Sequence, residues 1–430
     1  MKASLAAGLL PPVALFDNYW APTIAFAASL GLRGVPLHVY GSGAARWSRY
    51  CTKRLPCPAV EDADLFLPWL RERLLRREIT RIAPTTDLIA YYTSLLRDDF
   101  PIDVQRTISP LAEIEQNLIK SRFSARCSAI GQAVPATRTP DSLESALAAA
   151  QELGYPLILK PKSHIAVGTA ERGGLIFDEA GLRAKFEAYA AAPGQGSLAA
   201  RYPELRWPLL QRYIPSARHQ VYSVTGIKDA DLGIVTAALS CKREQWPPDI
   251  GTSIAQISLR DEKVLQAGLR AADNLVSRGI FELELVADRS QLLAIDLNPR
   301  AFGFISLDIA TGHDLPWLWL RTTLAPVAPL NEPNRPVASE ARHVLLYFLK
   351  RLVDWRVGAR VPGIERRDPR RPRAWMSIMG HRSDPLPMLI SHVRLLRHPR
   401  SLIRSQFSSA RSELSRPEGR LEAQEESPGP

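Results

Sequence analysis

The chain has 430 residues, 46% hydrophobic and 23% charged, long enough for more than one domain and too apolar to be a disordered polymer. Its four cysteines, Cys51, Cys57, Cys127 and Cys241, form no CxxC pair and no metal-binding spacing, which excludes a disulfide scaffold or zinc module and predicts reduced thiols in a cytoplasmic setting. The net charge of +11 is concentrated: residues 341–411 carry 16 Lys and Arg against 4 Asp and Glu, so the basicity belongs to a C-terminal arm.

Lys2 and the run ASLAAGLL open like a short signal peptide, but Pro11-Pro12 interrupts the run and no small-residue cleavage site follows. A buried first strand at 13–16 is the expectation, and no apolar run is long enough to cross a bilayer. Residues 23–32 read as a helix closed by Gly34, 35–40 as a second strand, 65–77 as a helix and 79–84 as a third strand. This alternation predicts an α/β domain over 1–110, with ligand loops at the strand carboxyl ends. Asp17, Asn18 and Asp87 sit at such ends, where they serve either a substrate or a turn and helix cap. No glycine fingerprint follows the first strand, which argues against a dinucleotide site.

Residues 111–133 carry a helical pattern containing Lys120, and 142–153 an amphipathic helix ending at Gly154, a favourable C-cap. Next comes Tyr155-Pro156-Leu157-Ile158-Leu159-Lys160-Pro161, an apolar strand ending in a lysine. A buried ammonium is costly unless an anion meets it, so Lys160 points to a phosphate. The loop 163–169 holds a single glycine, and His164 within it reads as structural. Residues 209–215, LLQRYIP, read as a strand and hinge; 220–225 and 231–239 read as consecutive strands. They lead to Ser240-Cys241-Lys242-Arg243-Glu244-Gln245-Trp246-Pro247-Pro248, in which Lys242, Arg243, an aromatic and a rigid proline pair suit an anion-binding loop. A solvated loop is the alternative.

After a helix at 264–278, the stretch GIFELELVADRSQLLAIDLNPRAFG reads as a hairpin over 279–303. Residues two apart share a strand face, so Glu282 and Glu284 point together, as do Asp296 and Asn298. Converging oxygen ligands without Cys or His suit a hard cation, with Glu284, Asp296 and Asn298 as its ligands and Glu282 the rival to Glu284. The bland reading is a half-exposed hairpin whose acids face water. Arg300 follows as a fixed cationic fork for an anion.

Beyond Pro326 the pattern changes to an apolar helix at 344–357, an Arg/Pro run at 366–373 and two short amphipathic segments at 388–396 and 401–407. Leu389, Ile390, Val393 and Leu396 recur at helical spacing beside His392, Arg394 and Arg397, a pattern that fits either an anionic membrane surface or docking on the rest of the protein. Few aromatics interleave with these cations, which argues against nucleic acid. Residues 411–430 are expected to be a disordered tail.

Glu284, twelve residues, then Asp296-x-Asn298-Pro299-Arg300, together with the Lys160 strand, resembles the ATP-grasp superfamily over about residues 11–325, with Asp296 where Glu is usual. The 242–248 segment is similar to the loop of carboxylate-amine-ligase-like members, and a weaker similarity reaches D-aspartate ligase. The resemblance implies a Rossmann-like domain over 1–110, two ATP-grasp lobes over 111–325 hinged near 211–215, and a basic helical extension over 326–410. It further implies ATP with magnesium (or manganese), held by Glu284, Asp296 and Asn298. Lys120 and Lys160 would contact the nucleotide, as would the backbone at Gln211 and Ile214. Arg300, Arg243 and Lys242 would act on the reacting groups. The implied activity is a cytoplasmic ligase joining a small carboxylate to a small amine through an acyl phosphate, with a homo-oligomer among the partner expectations. The competing expectation is a scaffold that binds an anionic membrane or partner through its arginine-rich arm.

Overall fold

The computed structural model describes residues 10–17, 21–163, 165, 173–191, 196–246, 251–330, 339–356, 374–381 and 383–397. Asn18, His164, most of the loop after it, Pro247-Pro248, the 366–373 run and residues 401–430 lie outside the described residues.

Among the described residues the strands form three sheets. The first is parallel and opens the chain: β1 (Val13–Asp17), β2 (Leu37–Gly41) and β3 (Cys51–Leu55). β1 is buried along its whole length because helix Ala21–Gly31 covers it on one side and helix Ala63–Leu75 on the other. The strand expected at 79–84 is reduced to one parallel bridge, Ala14 to Ile82, and β3 takes the third place. β3 is polar along its middle, Thr52-Lys53-Arg54, which is why no apolar pattern announces it.

The smaller lobe is an antiparallel sheet in the order β4 (Thr137–Arg138), β7 (Leu209–Arg212), β5 (Leu157–Lys160) and β6 (Gly174–Ile176). Helices Leu143–Leu153 and Glu179–Ala191 pack Ala146, Ala150, Leu182 and Phe186 onto it. The segment expected as one helix at 111–133 is two, Leu111–Leu118 and Lys120–Ala129, broken where Ile119 takes an extended backbone (φ −97°, ψ 105°). That break sets Lys120 at the start of a helix, its N–H donating to the Lys162 carbonyl at 2.8 Å.

The largest sheet runs β12 (Gln291–Asn298), β11 (Gly279–Asp288), β8 (Val221–Asp229), β9 (Gly233–Trp246), β10 (Thr252–Ser258), β13 (Ser339–Arg342) and β14 (Ala374–Ser377). Helix Glu262–Leu275 lies on one face, so close that a Cβ on Gly268 would stand 2.5 Å from Val224. The C-terminal segment, expected as a helical arm, thus supplies two strands to this sheet as well as helices Val344–Arg356 and Leu386–Arg397.

Helix Leu386–Arg397 packs on the N-terminal domain. Met388 and Ile390 join the core around β1, and buried Asp384 accepts from Ser48 Oγ (2.5 Å) and Arg49 N–H (3.1 Å). Leu389, Val393 and Leu396 stay exposed on its other side. No helix among the described residues is long and apolar enough to cross a membrane, and the four cysteines are free.

Candidate functional site

The hairpin forms as its sequence requires: β11 and β12 are joined by the two-residue turn Arg289-Ser290, with Arg289 at φ +54°. In the ladder Glu284 stands opposite Asp296, and Glu282 opposite Asn298. Leu283, Leu285 and Leu297, out of phase with the acids, enter the core under helix Glu262–Leu275. Burying that face fixes the register, because a one-residue slip would put the acids into the core.

Three lysines from three elements converge on the acidic face. Lys120 Nζ lies 2.6 Å from Asp296 Oδ1, and Lys242 Nζ, from β9, lies 2.8 Å from both Glu284 oxygens. Lys160, ending β5, donates to Gln211 Oε1 at 2.8 Å, and Gln211 Nε2 donates in turn to Thr137 Oγ1 at 3.0 Å. Burial, and then the neighbouring Lys120, push the Lys160 ammonium down to about 8. Burial also pulls on Lys242, but Glu284 outweighs it and holds that ammonium above its ordinary value. The two lysines therefore differ in kind: Lys242 bonds directly to a carboxylate, whereas Lys160 donates to an amide and feels Asp296 and Glu284 from further off.

Arg300 is aimed by partners on two different elements. Its Nε donates to Asp87 Oδ1 at 2.7 Å, Nη2 to Asn298 Oδ1 at 2.8 Å and Nη1 to the Ala301 carbonyl at 2.7 Å. Asp87 opens helix Asp87–Leu95, whose N-cap is Thr86, and its carboxylate reaches Arg300 from that helix. Asn298 Nδ2 donates to Glu282 Oε2 at 2.9 Å. That bond fixes the amide orientation and leaves Glu282 as the support of Asn298. Burial, reinforced by Glu284, holds the Glu282 carboxyl above its ordinary range. Behind it, Asp308 is 3% exposed, and burial pushes its carboxyl up to about 8. Asp308, Glu282 and the side-chain role of Gln211 were not readable as a set from sequence; only the phase of Glu282 with Glu284 signals any of them.

Two expected residues, Arg243 and Ile214, have their nearest partners elsewhere. Lys242 and Arg243 lie within the long strand β9, not in a loop, and a register shift falls beside them opposite Ala255 and Gln256. Arg243, next to Lys242 in the strand, has its Nη1 3.7 Å from buried Glu340 of β13. Ile214 is buried at the start of a 3₁₀ turn with its carbonyl bonded to Ala217 N–H, packed against Val221, Val286 and Leu293.

The donor set fits magnesium. Glu284 and Asp296 offer a cross-strand pair of carboxylates, and the described residues hold no cluster of three or more His, Cys, Asp or Glu that would cage an ion unaided. Magnesium characteristically takes one or two carboxylates and fills its remaining positions with water and substrate phosphate.

No family model matches the chain. It is 24% identical over 260 residues to the carbamoyl phosphate synthase large chain of Pyrococcus furiosus, covering 58% of this chain and 23% of that one, so the chain spans under a quarter of that relative. Among solved structures it is similar to the biotin carboxylase domain dimer of Hydrogenobacter thermophilus 2-oxoglutarate carboxylase, in complex with MgADP, ADP and bicarbonate. The TM-score is 0.60 at 15% identity over 76% of this chain and 73% of that one. It is also similar to an L-amino acid ligase from Bacillus licheniformis, with TM-score 0.57 at 15% identity over 77% and 79% of the two chains.

Proposed function

We propose that this chain, which has the ATP-grasp fold, is a magnesium- and ATP-dependent ligase that joins a small carboxylate to a small amine in the cytoplasm. The γ-phosphoryl group passes to a carboxylate oxygen with release of ADP; the amine then attacks the acyl carbon, and phosphate leaves. The observation that carries this reading is the convergence of Lys120, Lys160 and Lys242 on the Glu284–Asp296 pair. Phosphoryl transfer demands positioning and charge neutralisation more than covalent catalysis, and this group supplies both.

Glu284 and Asp296 would hold the cation, with the free lone pair of Asn298 beside them; a bound magnesium neutralises developing phosphate charge. Lys160 binds phosphate from the β5 side, kept in place by Gln211. Arg300, stiffened by Asp87 and Asn298, presents a guanidinium to the carboxylate or its acyl phosphate. The similarity to an L-amino acid ligase favours amino acids as the first substrates to try. The test is ADP release in MgATP across a panel of carboxylates paired with amines. Turnover that needs one of each, and is abolished by Glu284→Gln or Asp296→Asn, is the expected result. MgATP binding without ADP release for every pair would overturn the ligase reading.

A further inference from the structure

Resting on that reading of the site, we infer that Lys120 and Lys242 occupy the two metal-binding carboxylates until nucleotide arrives, so that the divalent cation enters with the nucleotide and not before it. Each carboxylate assigned to the cation is already bonded to an ammonium: Asp296 to Lys120 at 2.6 Å, Glu284 to Lys242 at 2.8 Å. All four side chains are largely buried, between 12% and 28% exposed, so these are not screened surface pairs.

A dication seated between Glu284 and Asp296 would stand within a few ångströms of both ammoniums, and in a partly buried site that repulsion is not screened away. The lysines must move, and each then gives up its bond to a carboxylate. Gln211 Oε1 does not replace that bond, since it already accepts from Lys160. Nucleotide phosphates change this: they give the lysines a new partner and bring their own negative charge to the cation. Cation and nucleotide therefore favour one another. By reciprocity, whatever factor nucleotide adds to cation affinity, the cation adds to nucleotide affinity, typically about 5- to 150-fold.

The lysines thus act with opposite sign on the two ligands. Removing one weakens nucleotide binding, as for any phosphate-binding lysine, but tightens cation binding to the nucleotide-free protein. A lysine that only contacts phosphate gives the first effect without the second. The experiment is a manganese titration of the full-length chain, without nucleotide and again with ATP, followed by electron paramagnetic resonance of free Mn2+, for wild type, Lys120→Met, Lys242→Met, Asp296→Asn and Lys120→Met/Asp296→Asn. ATP titrations in EDTA run alongside, and thermal unfolding verifies each variant's fold. Both single variants should bind Mn2+ about tenfold more tightly than wild type and ATP more weakly, and the double variant should lose the gained Mn2+ affinity. If neither single variant binds Mn2+ more tightly while Asp296→Asn still removes Mn2+ binding in the presence of ATP, the inference is wrong and the site stands. If the double variant keeps the gained affinity, the metal assignment itself fails.

Discussion

Replacing Lys160 by methionine should stabilise the empty protein while crippling nucleotide binding. Lowering the ammonium from 10.5 to about 8 means that its charged form is disfavoured by about 3 kcal/mol relative to water, at about 1.4 kcal/mol per unit. Methionine fills the same volume without that penalty. It strands Gln211 Oε1, which loses its donor at a cost of about 1 to 2 kcal/mol, so a net gain of about 1 to 2 kcal/mol is expected at pH 7. Loss of a charged hydrogen bond to phosphate should weaken ATP by about 1.5 to 3 kcal/mol, roughly 10- to 150-fold. Urea unfolding gives the first quantity and calorimetric ATP titration the second. The pH dependence carries its own sign. Phosphate raises the Lys160 pKa, so the complex binds more protons than the free protein, and wild-type ATP affinity should fall as pH rises through about 8. The unfolded chain keeps this proton up to about 10.5, so between about 8 and 10.5 rising pH should favour the folded state, an effect absent from the variant. A Lys160→Met protein that is less stable than wild type, with unchanged ATP affinity, would refute the reasoning.

Asp308→Asn should flatten the pH dependence of stability. The wild-type carboxyl is raised from 3.8 to about 8, so its contribution is fully present below the unfolded value and lost as pH rises through the folded one; relative to the variant, wild type should lose on the order of 3 kcal/mol between pH 5 and pH 8 by urea unfolding. Asp87→Asn leaves the helix cap at Thr86 intact but removes the charge that orients Arg300, so kcat/KM in the ADP-release assay should fall about tenfold or more with the melting temperature nearly unchanged. Asp384→Ala strands Ser48 Oγ and Arg49 N–H in a buried setting and should cost about 1 to 3 kcal/mol of stability, measured by chemical unfolding.

The parts legible in the sequence are those whose constraint is local. Period-two alternation in 281–285 and the extended run at 292–298 give the acid hairpin and its facing, and an apolar strand ending in Lys160 gives a buried ammonium. What escapes is set by distant partners. β3 is a polar strand accepted because β2 offers it an edge. β13 and β14 carry no strand signal of their own, since β13 is defined by pairing with β10 and β14 by pairing with β13, which is why the sequence reads as a helical arm. That Lys242 and Arg243 lie in a strand and not in a loop follows from the pairing of β9 with β10, and successive residues of a strand point to opposite faces. The side-chain role of Gln211 depends on Thr137 and Lys160, 74 and 51 residues away.

The same long-range packing explains how Arg300 can be aimed by a residue 213 positions distant. A single hydrophobic cluster takes Val13, Phe26 and Val39 from the N-terminal domain, Ile227, Val235 and Ile280 from the large sheet, and Phe302 and Trp319 just after the hairpin. Ala341, Ile378 and Met379 of the C-terminal segment join it. Phe26 and Trp319 meet edge to face at 5.7 Å, and Ala301 N–H donates to the Pro84 carbonyl at 2.8 Å, just before the Thr86 cap. One hydrogen bond between Arg300 and Asp87 would be a weak link between two independent domains. Set over a shared core it needs to supply direction only, and the C-terminal strands help by closing that core at the far edge of the sheet. Lys160, by contrast, ends a strand of a separate small sheet with its own core, so the packing that places it is distinct from the packing that aims Arg300.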